Sequence, residues 1–206
     1  MEQLFQDSPT RSFRKGQILI YEGDNLEDIY YVDNGFVKAF DIRSSGDPRT
    51  IAIFTTGDAF PLSSILAGPG TSRYFYECMT DTKCQVLTKA KFQQRVRNNL
   101  EIGEMLIKDT SKLNQELIER IEILSAQSAH HKVVALLSYL AGKTGAKKGG
   151  KLQLQIPLTT QDIAELCSLT RETTSVQLIQ LKKAGVIAGR RHLIVDPAKL
   201  TKLAQA

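Results

Sequence analysis

The chain has 206 residues, 42% of them hydrophobic, and its 27 Lys and Arg residues outnumber its 22 Asp and Glu residues. A chain of this size can bury one or two hydrophobic cores. No segment approaches the ~20 consecutive apolar residues that a transmembrane helix needs, and the first residues do not resemble a secretory signal. We therefore expect a cytoplasmic protein with no membrane partner.

The charge is distributed unevenly along the chain. Residues 129–206 contain 12 Lys and Arg against 4 Asp and Glu, a net charge of +8, which leaves 15 against 18, a net charge of −3, for residues 1–128. Such asymmetry is typical of a nucleic-acid-binding domain joined to a non-binding one, although a solvated basic surface produces the same pattern. We predict three segments: an effector-type domain (1–98), a dimerisation helix (99–128) and a DNA-binding domain (129–206).

Glycine-bearing turns at regular spacing characterise the segment between Phe13 and Leu87. Short apolar runs at 18–21, 29–32 and 36–40 each precede a turn rich in Gly, Asp, Asn or Ser. This pattern favours a small antiparallel barrel or roll. No run with a helical period interrupts it, so we predict an N-terminal, jelly-roll-like antiparallel β-roll in an α+β protein.

A long amphipathic helix is predicted between Leu100 and Leu124, where apolar residues recur mostly three, four or seven positions apart. A helix of about 25 residues is ~38 Å long, which exceeds what one small roll can cover. Self-association is therefore favoured over packing of the stripe on its own roll. The predicted dimer interface contains Leu106, Thr110, Leu113, Leu117, Ile121 and Leu124.

The segment after Ser128 is predicted to begin with another helix, which ends near Gly142. Residues 145–151 are rich in Gly and Lys, and we expect them to form a flexible basic loop. The break at residues 127–128 is a candidate hinge between the two parts of the chain.

A helix-turn-helix is predicted in the last third of the chain. Thr159 or Thr160 can cap its first helix, residues 167–169 form the turn, and Thr170 caps a second helix that extends from Arg171 to about Lys183. The second helix is the candidate recognition helix, with Leu178 and Leu181 as its buried anchors.

A β-hairpin, or wing, is predicted after this helix. Gly185 ends the helix in the left-handed region, and two short strands at 186–188 and 193–195 are joined through residues 189–192. Asp196 then caps a short terminal helix. The two arginines of the hairpin can contact phosphate oxygens.

The first two turns of a recognition helix face the base edges of the major groove. Arg171 can donate two hydrogen bonds to guanine, Glu172 can accept one from cytosine, Ser175 is adaptable, and Val176 can contact a thymine methyl group. The predicted DNA-binding residues are Thr160, Thr170, Arg171, Glu172, Ser175, Val176, Arg190 and Arg191.

Five short segments carry a resemblance to a known family: 15–20, 22–24, 34–38, 56–60, and 170–173 with Ser175. The first four are similar to the cyclic-nucleotide-binding roll of the Crp/Fnr transcription regulators, and the last resembles the recognition helix of that family. Their order in one chain strengthens the resemblance. It implies a homodimer that reads a palindromic site, with half-sites ~34–36 Å apart.

The resemblance also shows departures from the family's cyclic AMP site. The glycine-glutamate pair that grips the ribose falls on Pro61-Leu62, and the arginine-serine pair that neutralises the phosphate falls on Ser72-Arg73. The helix positions that close over the purine fall on Leu117 and Ile118. Leucine cannot accept a hydrogen bond, and each unpaired ribose hydroxyl would cost ~1–3 kcal/mol. We therefore predict that cyclic AMP is not a tight ligand.

Three possibilities stay open for the roll: another small molecule in the same cavity, an empty vestigial roll, or direct sensing of a physical variable. An unidentified effector and RNA polymerase stay open as partners beside double-stranded DNA and a second copy of the chain. The candidate effector-pocket residues are Leu62, Ser63, Ser64, Ser72, Arg73, Tyr76, Leu117 and Ile118.

Metal and haem cofactors are not expected. The iron–sulfur members of the family use N-terminal cysteines, whereas the first cysteine here is Cys78, and Cys84 and Cys167 form no CxxC pair with it. We expect all three cysteines to be reduced, small apolar residues. A metalloenzyme of the cupin type needs histidines inside its barrel, yet His130, His131 and His192 lie beyond the roll.

We therefore predict a DNA-binding transcription regulator that is not an enzyme. The alternative is a small-molecule sensor or enzyme centred on the roll, with the C-terminal domain as a protein-interaction module. Salt-dependent DNA binding distinguishes the two, because phosphate neutralisation makes affinity fall steeply with added salt.

Overall fold

The computed structural model describes residues 1–68, 70–97 and 99–204. The chain forms two compact units, and two antiparallel sheets make up most of the first, Met1–Asn114. The strands follow a short helix α1 (Glu2–Phe5); they are β1 (Thr10–Phe13), β2 (Ile18–Ile20), β3 (Asp28–Asn34), β4 (Val37–Ile42), β5 (Pro48–Phe54), β6 (Ala59–Phe60), β7 (Phe75–Cys78) and β8 (Thr82–Thr88). One sheet has the strand order β1-β8-β3-β6 and the other the order β2-β7-β4-β5, which confirms the predicted antiparallel β-domain.

The turn between β3 and β4 shows why glycine is needed at one corner of the roll. Gly35 has φ +106°, and a Cβ atom there would lie 2.6 Å from the Thr82 hydroxyl oxygen. Any other residue would therefore combine backbone strain with a steric clash. The sheets enclose a core that includes Ile29, Val32, Phe60 and Cys84.

One helix interrupts the roll, so the expectation of an uninterrupted β-region is wrong. Helix α2 (Leu62–Leu66) follows β6, and it buries Leu62 and Ile65, one turn apart. Five residues are too few to establish a helical period in the sequence. Helix α3 (Lys89–Arg97), which the sequence did not predict, follows β8 and buries Phe92.

Helix α4 (Leu100–Ser125) confirms the predicted long helix. Its N-terminal part belongs to the first unit, and residues from Gln115 onward belong to the second unit, Gln115–Ala206. The predicted segment ends at residues 98 and 206 lie outside the described residues. In the described ranges, no helix combines the length and the apolar composition needed to cross a bilayer.

The second unit continues with helix α5 (Ala129–Thr144), whose first turn is capped by the Ser128 hydroxyl. Strands β9 (Gly145–Lys148) and β10 (Lys151–Leu154) follow, so the expectation of a flexible basic loop is wrong. Gly149 and Gly150 have φ +55° and +75°. Two successive positive φ values are what a type I′ hairpin turn requires, and this turn fits the twist of paired strands.

The helix-turn-helix and wing follow in the predicted order. Their elements are α6 (Thr160–Cys167), α7 (Arg171–Lys183), β11 (Ile187–Ala188), β12 (Ile194–Val195) and α8 (Pro197–Ala204). The hairpin β9–β10 extends the wing into one sheet with the order β11-β12-β10-β9. A core of aliphatic side chains from α5, α6 and α7 supports this sheet; it includes Leu136, Leu137, Leu140, Ile163, Leu166 and Leu181.

Candidate nucleic-acid interface

The first helix of the helix-turn-helix begins at a capping box. The Thr159 hydroxyl accepts a hydrogen bond from the backbone N–H of Asp162 at 3.1 Å, and the Asp162 carboxylate accepts one from the backbone N–H of Thr159 at 2.7 Å. Thr159 is therefore the cap, and Thr160 is the first residue of α6. The reciprocal bonds satisfy donors that a helix start leaves free.

The turn between α6 and α7 is tight because Ser168 adopts φ +52°, in the left-handed region. The backbone N–H of Leu169 then reaches the Ala164 carbonyl at 3.0 Å. Thr170 caps α7: its hydroxyl accepts from the backbone N–H of Thr173 at 3.1 Å. Together these contacts fix the start of the recognition helix relative to α6.

Helix α7 has one buried face and one exposed face. Thr174, Leu178 and Leu181 are buried in the unit, as expected for the two leucines. Arg171, Glu172 and Val176 are exposed, and Ser175 is half-buried. At about 100° per residue, Glu172 and Val176 lie opposite the buried face, whereas Arg171 lies nearly in line with Leu178 and is exposed at the first position of the helix. The four side chains predicted to face base edges are thus accessible from solvent.

The end of α7 and the wing are held by specific contacts. Gly185 has φ +65°, as predicted, and the Lys199 ammonium donates to its carbonyl at 3.2 Å. At the wing tip, Gly189 has φ +85°, and a Cβ atom there would lie 2.7 Å from the His192 carbonyl oxygen. Only glycine fits this turn, which leaves Arg190 and Arg191 exposed.

The exposed cations of this unit are numerous and lie on several elements. They occur at the hairpin β9–β10, at the end of α7 and at the wing: Lys147, Lys148, Lys151, Lys182, Lys183, Arg190 and Arg191. Clustered Lys and Arg side chains are the electrostatic feature of surfaces that bind the phosphate backbone. The second unit therefore combines an accessible helix α7 with exposed basic residues at the end of that helix, at the wing and at the hairpin β9–β10.

Buried aromatic rings occupy the space between the two sheets of the roll. Phe60 of β6 lies between Tyr30 of β3 and Tyr76 of β7, with ring centroids 5.3 Å and 5.1 Å away. Phe54 of β5 adds a fourth ring, 5.1 Å from Phe60. Burial raises the pKa of Tyr76, whose hydroxyl is hydrogen-bonded to Ser64. Tyr30, Phe60 and Tyr76 are members of the buried core of the first unit, and Phe54 packs against that core.

The candidate effector-pocket residues have different environments. Leu62 is buried beside this core, whereas Ser63 and Arg73 are exposed. The buried Ser72 hydroxyl donates to the Tyr74 carbonyl at 2.6 Å, so it is occupied by a contact within its own turn. Leu117 and Ile118 belong to the second unit, where both are exposed.

Residues 10–99 match the family model of the cyclic nucleotide-binding domain, and residues 131–203 match that of the Crp-like helix-turn-helix domain. The chain belongs to the Crp/Fnr family of transcription regulators. Such regulators are not enzymes, and the rival prediction of an enzyme centred on the roll is not favoured. The helix-turn-helix of this family implies DNA binding.

Two curated relatives illustrate the match. The chain is 27% identical over 199 residues to the transcriptional activator protein FnrL of Cereibacter sphaeroides. The aligned residues cover 92% of this chain and 78% of FnrL. It is 27% identical over 188 residues to the nitrogen fixation regulation protein FixK of Rhizobium meliloti, covering 91% and 82% of the two chains. The structure of FixK2 from Bradyrhizobium japonicum has the same fold, with a TM-score of 0.84 at 23% identity over 97% of this chain and 98% of FixK2.

The cysteines and histidines of this Crp/Fnr protein make contacts within the fold. All three cysteines are free and buried, as predicted, and burial raises the pKa of Cys167 to about 12. The Nδ1 atom of His130 lies 3.1 Å from the Gln177 Oε1 atom, and that of His131 lies 2.8 Å from the Ser128 Oγ atom. No group of three His, Cys, Asp or Glu residues that could hold a metal ion is found within the described ranges.

The exposed face of α4 differs from the predicted one. Leu106 is only 5% exposed and belongs to the core of the first unit, so its assignment to a dimer interface is wrong. Its neighbour Ile107 is 68% exposed. Sequence periodicity missed Ile107, because apolar residues occur on both sides of this helix and only one side packs on the roll. Leu117, Ile121 and Leu124 are exposed in the second unit, whereas Leu113 of the predicted interface is half-buried in the first unit, next to exposed Asn114.

Arg120 is a buried charge that no motif in the sequence indicates. Its Nη2 atom donates to the Leu166 carbonyl oxygen at 2.6 Å, and burial lowers its pKa. Its Nε and Nη1 atoms have no hydrogen-bond partner among the described residues. Leu166 is near the C-terminal end of α6, where carbonyl groups lack partners within the helix. Arg120 therefore positions the helix-turn-helix from within its own unit.

Proposed function

We propose that this Crp/Fnr regulator is a homodimer that reads a palindromic DNA site and is not controlled by cyclic AMP. The observation that carries the proposal is the exposure of Arg171, Glu172 and Val176 in the first two turns of α7, a helix anchored in its unit by buried Thr174, Leu178 and Leu181. A helix presented in this way can enter the major groove with its first turns facing the base edges.

Each exposed side chain has a chemically defined partner in that groove. Arg171 donates two hydrogen bonds to guanine, Glu172 accepts one from the cytosine amino group, and Ser175 adapts to either. Many family members have a second arginine where this chain has Val176. Valine can make only apolar contact, so we expect a thymine at that step instead of the family's usual guanine.

Phosphate contacts are assigned to residues around the recognition helix. Thr160 and Thr170 lie at helix starts, where backbone N–H groups and the helix dipole favour an anion. Arg190 and Arg191 extend from the wing, next to a turn that only glycine can form. Such contacts fix the register of the protein on the duplex without reading its sequence.

The dimer interface is assigned to the exposed stripe of α4. Ile107, Leu117, Ile121 and Leu124 are apolar, and their positions fit a heptad pattern with spacings of three and four once Thr110 and Asn114 are included. This pattern is typical of two helices packed in a coiled coil. A two-fold symmetric pair of recognition helices would then match a palindrome. The stripe that supports this proposal contains Ile107, Thr110, Asn114, Leu117, Ile121 and Leu124.

Independence of cyclic AMP is supported by two features of the roll. Leu62 occupies the position of the family's ribose-binding glutamate and is buried. The rings of Tyr30 and Tyr76 stack on Phe60 between the sheets, and the Phe54 ring is tilted against Phe60. A nucleotide that entered this space would have to displace these ring contacts. Its ribose hydroxyls would also be left unpaired, because Leu62 offers them no hydrogen-bond acceptor. We also propose that the protein uses no metal, haem or iron–sulfur cofactor.

The direct test is selection of binding sites from random duplexes with the full-length protein. We expect an enriched palindrome with half-sites about one helical turn apart, and affinity that falls steeply with added salt. A strictly monomeric protein, or a pool with no enriched sequence, would contradict the proposal. Affinity that does not depend on salt would instead favour a protein-interaction role for the C-terminal unit.

A further inference from the structure

Two apolar side chains lie on the exposed face of the recognition helix. Val176 is 51% exposed and Ile179 is 50% exposed. Single exposed apolar residues are common on protein surfaces, but these two are three positions apart, which places them side by side on a helix. Ile179 was not among the residues assigned to DNA contact from the sequence.

The position of Ile179 on the helix follows from the buried face. Thr174, Leu178 and Leu181 are buried. Successive residues of a helix are rotated by about 100°. Four exposed residues, spaced four, three and four positions apart, therefore lie on the side opposite the three buried ones. This solvent-facing stripe contains Glu172, Val176, Ile179 and Lys183. It therefore begins with an acidic residue, continues with two apolar ones and ends with a basic one.

The chemistry of the major groove limits what can pack against the apolar middle of this stripe. The C5-methyl group of thymine is the apolar group that bases present there. Val176 and Ile179 are ~4.5 Å apart along the helix axis, which is close to the ~3.4 Å rise between base pairs. Lys183 at the end of the stripe and its neighbour Lys182 are basic, and this charge favours DNA over an apolar protein surface.

We propose that Val176 and Ile179 together read the methyl groups of thymines on neighbouring base pairs, with Ile179 as an additional specificity-determining residue. This inference rests on the proposed reading of DNA by α7. The earlier turns of a recognition helix lie deepest in the groove. The contact of Val176 is therefore the closer one, and we expect it to have the larger effect.

The experiment uses the full-length protein and the palindrome obtained by selection. Each thymine of the half-site is replaced in turn by deoxyuridine, which removes only the C5-methyl group, and the dissociation constant is measured by fluorescence anisotropy. We expect about a fourfold loss of affinity at a sensitive thymine, since burying one methyl-sized group contributes about that factor. Two neighbouring base pairs should be sensitive.

Variants then assign each methyl group to a side chain. In Val176→Ala the effect of deoxyuridine at one of the two positions should disappear, and in Ile179→Ala the effect at the other. Gln180→Ala, an exposed neighbour on the same helix, is the matched control and should retain both effects. Because both apolar side chains are half exposed, we expect the variants to fold, which circular dichroism can verify.

The outcomes separate this inference from the proposed function. If a palindrome is selected but no thymine is sensitive to loss of its methyl group, the inference is wrong and the proposed function stands. The same holds if the sensitivity persists unchanged in Ile179→Ala. If no sequence is enriched, both the proposed function and the inference are wrong.

Discussion

The guanidinium of Arg120 in α4 donates a hydrogen bond to the backbone carbonyl oxygen of Leu166, 2.6 Å away, near the end of α6. Arg120 is only 6% exposed. A cation at this point complements the negative end of the helix dipole. It also gives a partner to a carbonyl that the helix cannot satisfy by itself.

The substitution Arg120→Ala should lower the free energy of unfolding of the C-terminal unit by about 2–4 kcal/mol. It would leave the Leu166 carbonyl unpaired and create a cavity in place of a long side chain. Arg120→Met should cost less, because it fills much of the volume and removes a partly unsatisfied buried charge. Urea denaturation measures both, and the exposed neighbour Glu119→Ala serves as control. Equal stabilities of the wild type and Arg120→Ala would contradict the role assigned to this contact.

Loss of the Arg171 side chain should affect specific binding alone. Arg171→Ala is expected to cost ~1–3 kcal/mol on the selected palindrome while leaving binding to random DNA nearly unchanged. A phosphate-contacting residue behaves differently, so Arg190→Ala should weaken binding to both kinds of DNA and reduce the salt dependence. Anisotropy titrations at several salt concentrations compare the two variants. Equal losses on both DNAs for Arg171→Ala would refute its assignment to a base.

The exposed stripe of α4 predicts how the dimer can be disrupted. Ile121 is 63% exposed, so Ile121→Glu should leave each unit folded while placing two like charges at a symmetric helix contact. We expect a monomer in light scattering and a large loss of affinity for the palindrome. The exposed neighbour Glu122→Gln should remain dimeric. If the Ile121→Glu variant remained dimeric, the dimer interface would have to lie outside this stripe of α4.

Asn114 provides a second test of the same interface. A polar residue at a single core position of a coiled coil fixes register and oligomeric state at a cost in stability. Asn114→Leu should therefore make the dimer dissociate at lower protein concentration than the wild type does, and should permit larger oligomers. Sedimentation across a range of concentrations detects both changes. No change in assembly would exclude Asn114 from the contact.

The buried thiols predict a loss of stability at alkaline pH. Burial raises the pKa of Cys167 from its ordinary value of 9.0 to about 12 in the folded state. As pH rises above about 9, the unfolded chain loses this proton first, so the free energy of unfolding should fall by up to about 1.4 kcal/mol per pH unit for this thiol. Below that pH the thiol is protonated in both states and has no effect. Urea denaturation under reducing conditions should give a smaller slope for Cys167→Ala, and an identical slope would contradict this cause.

Local signals in the sequence were sufficient for much of the fold. Thr170 could be recognised as a helix cap and Gly185 as a helix end, because both roles depend on the residue itself and its nearest backbone groups. The regular glycine-bearing turns predicted the antiparallel roll for the same reason. The hairpin at Gly149-Gly150 carried a local turn signal as well, but its strands were missed because residues 145–151 lack the apolar alternation of a strand, and β10 is held in the sheet by the distant strand β12.

The sequence by itself determined the succession of roll, long helix, helix-turn-helix and wing, the basic character of the C-terminal unit and the residues of α7. Only the tertiary structure decided which face of α4 is exposed at Leu106 and Ile107, and that Arg120 is buried against Leu166. Helical periodicity identifies a stripe but cannot tell which apolar side chains meet their own core. Whether a side chain is buried depends on contacts with residues far apart in the chain, and a local sequence pattern contains no information on those contacts.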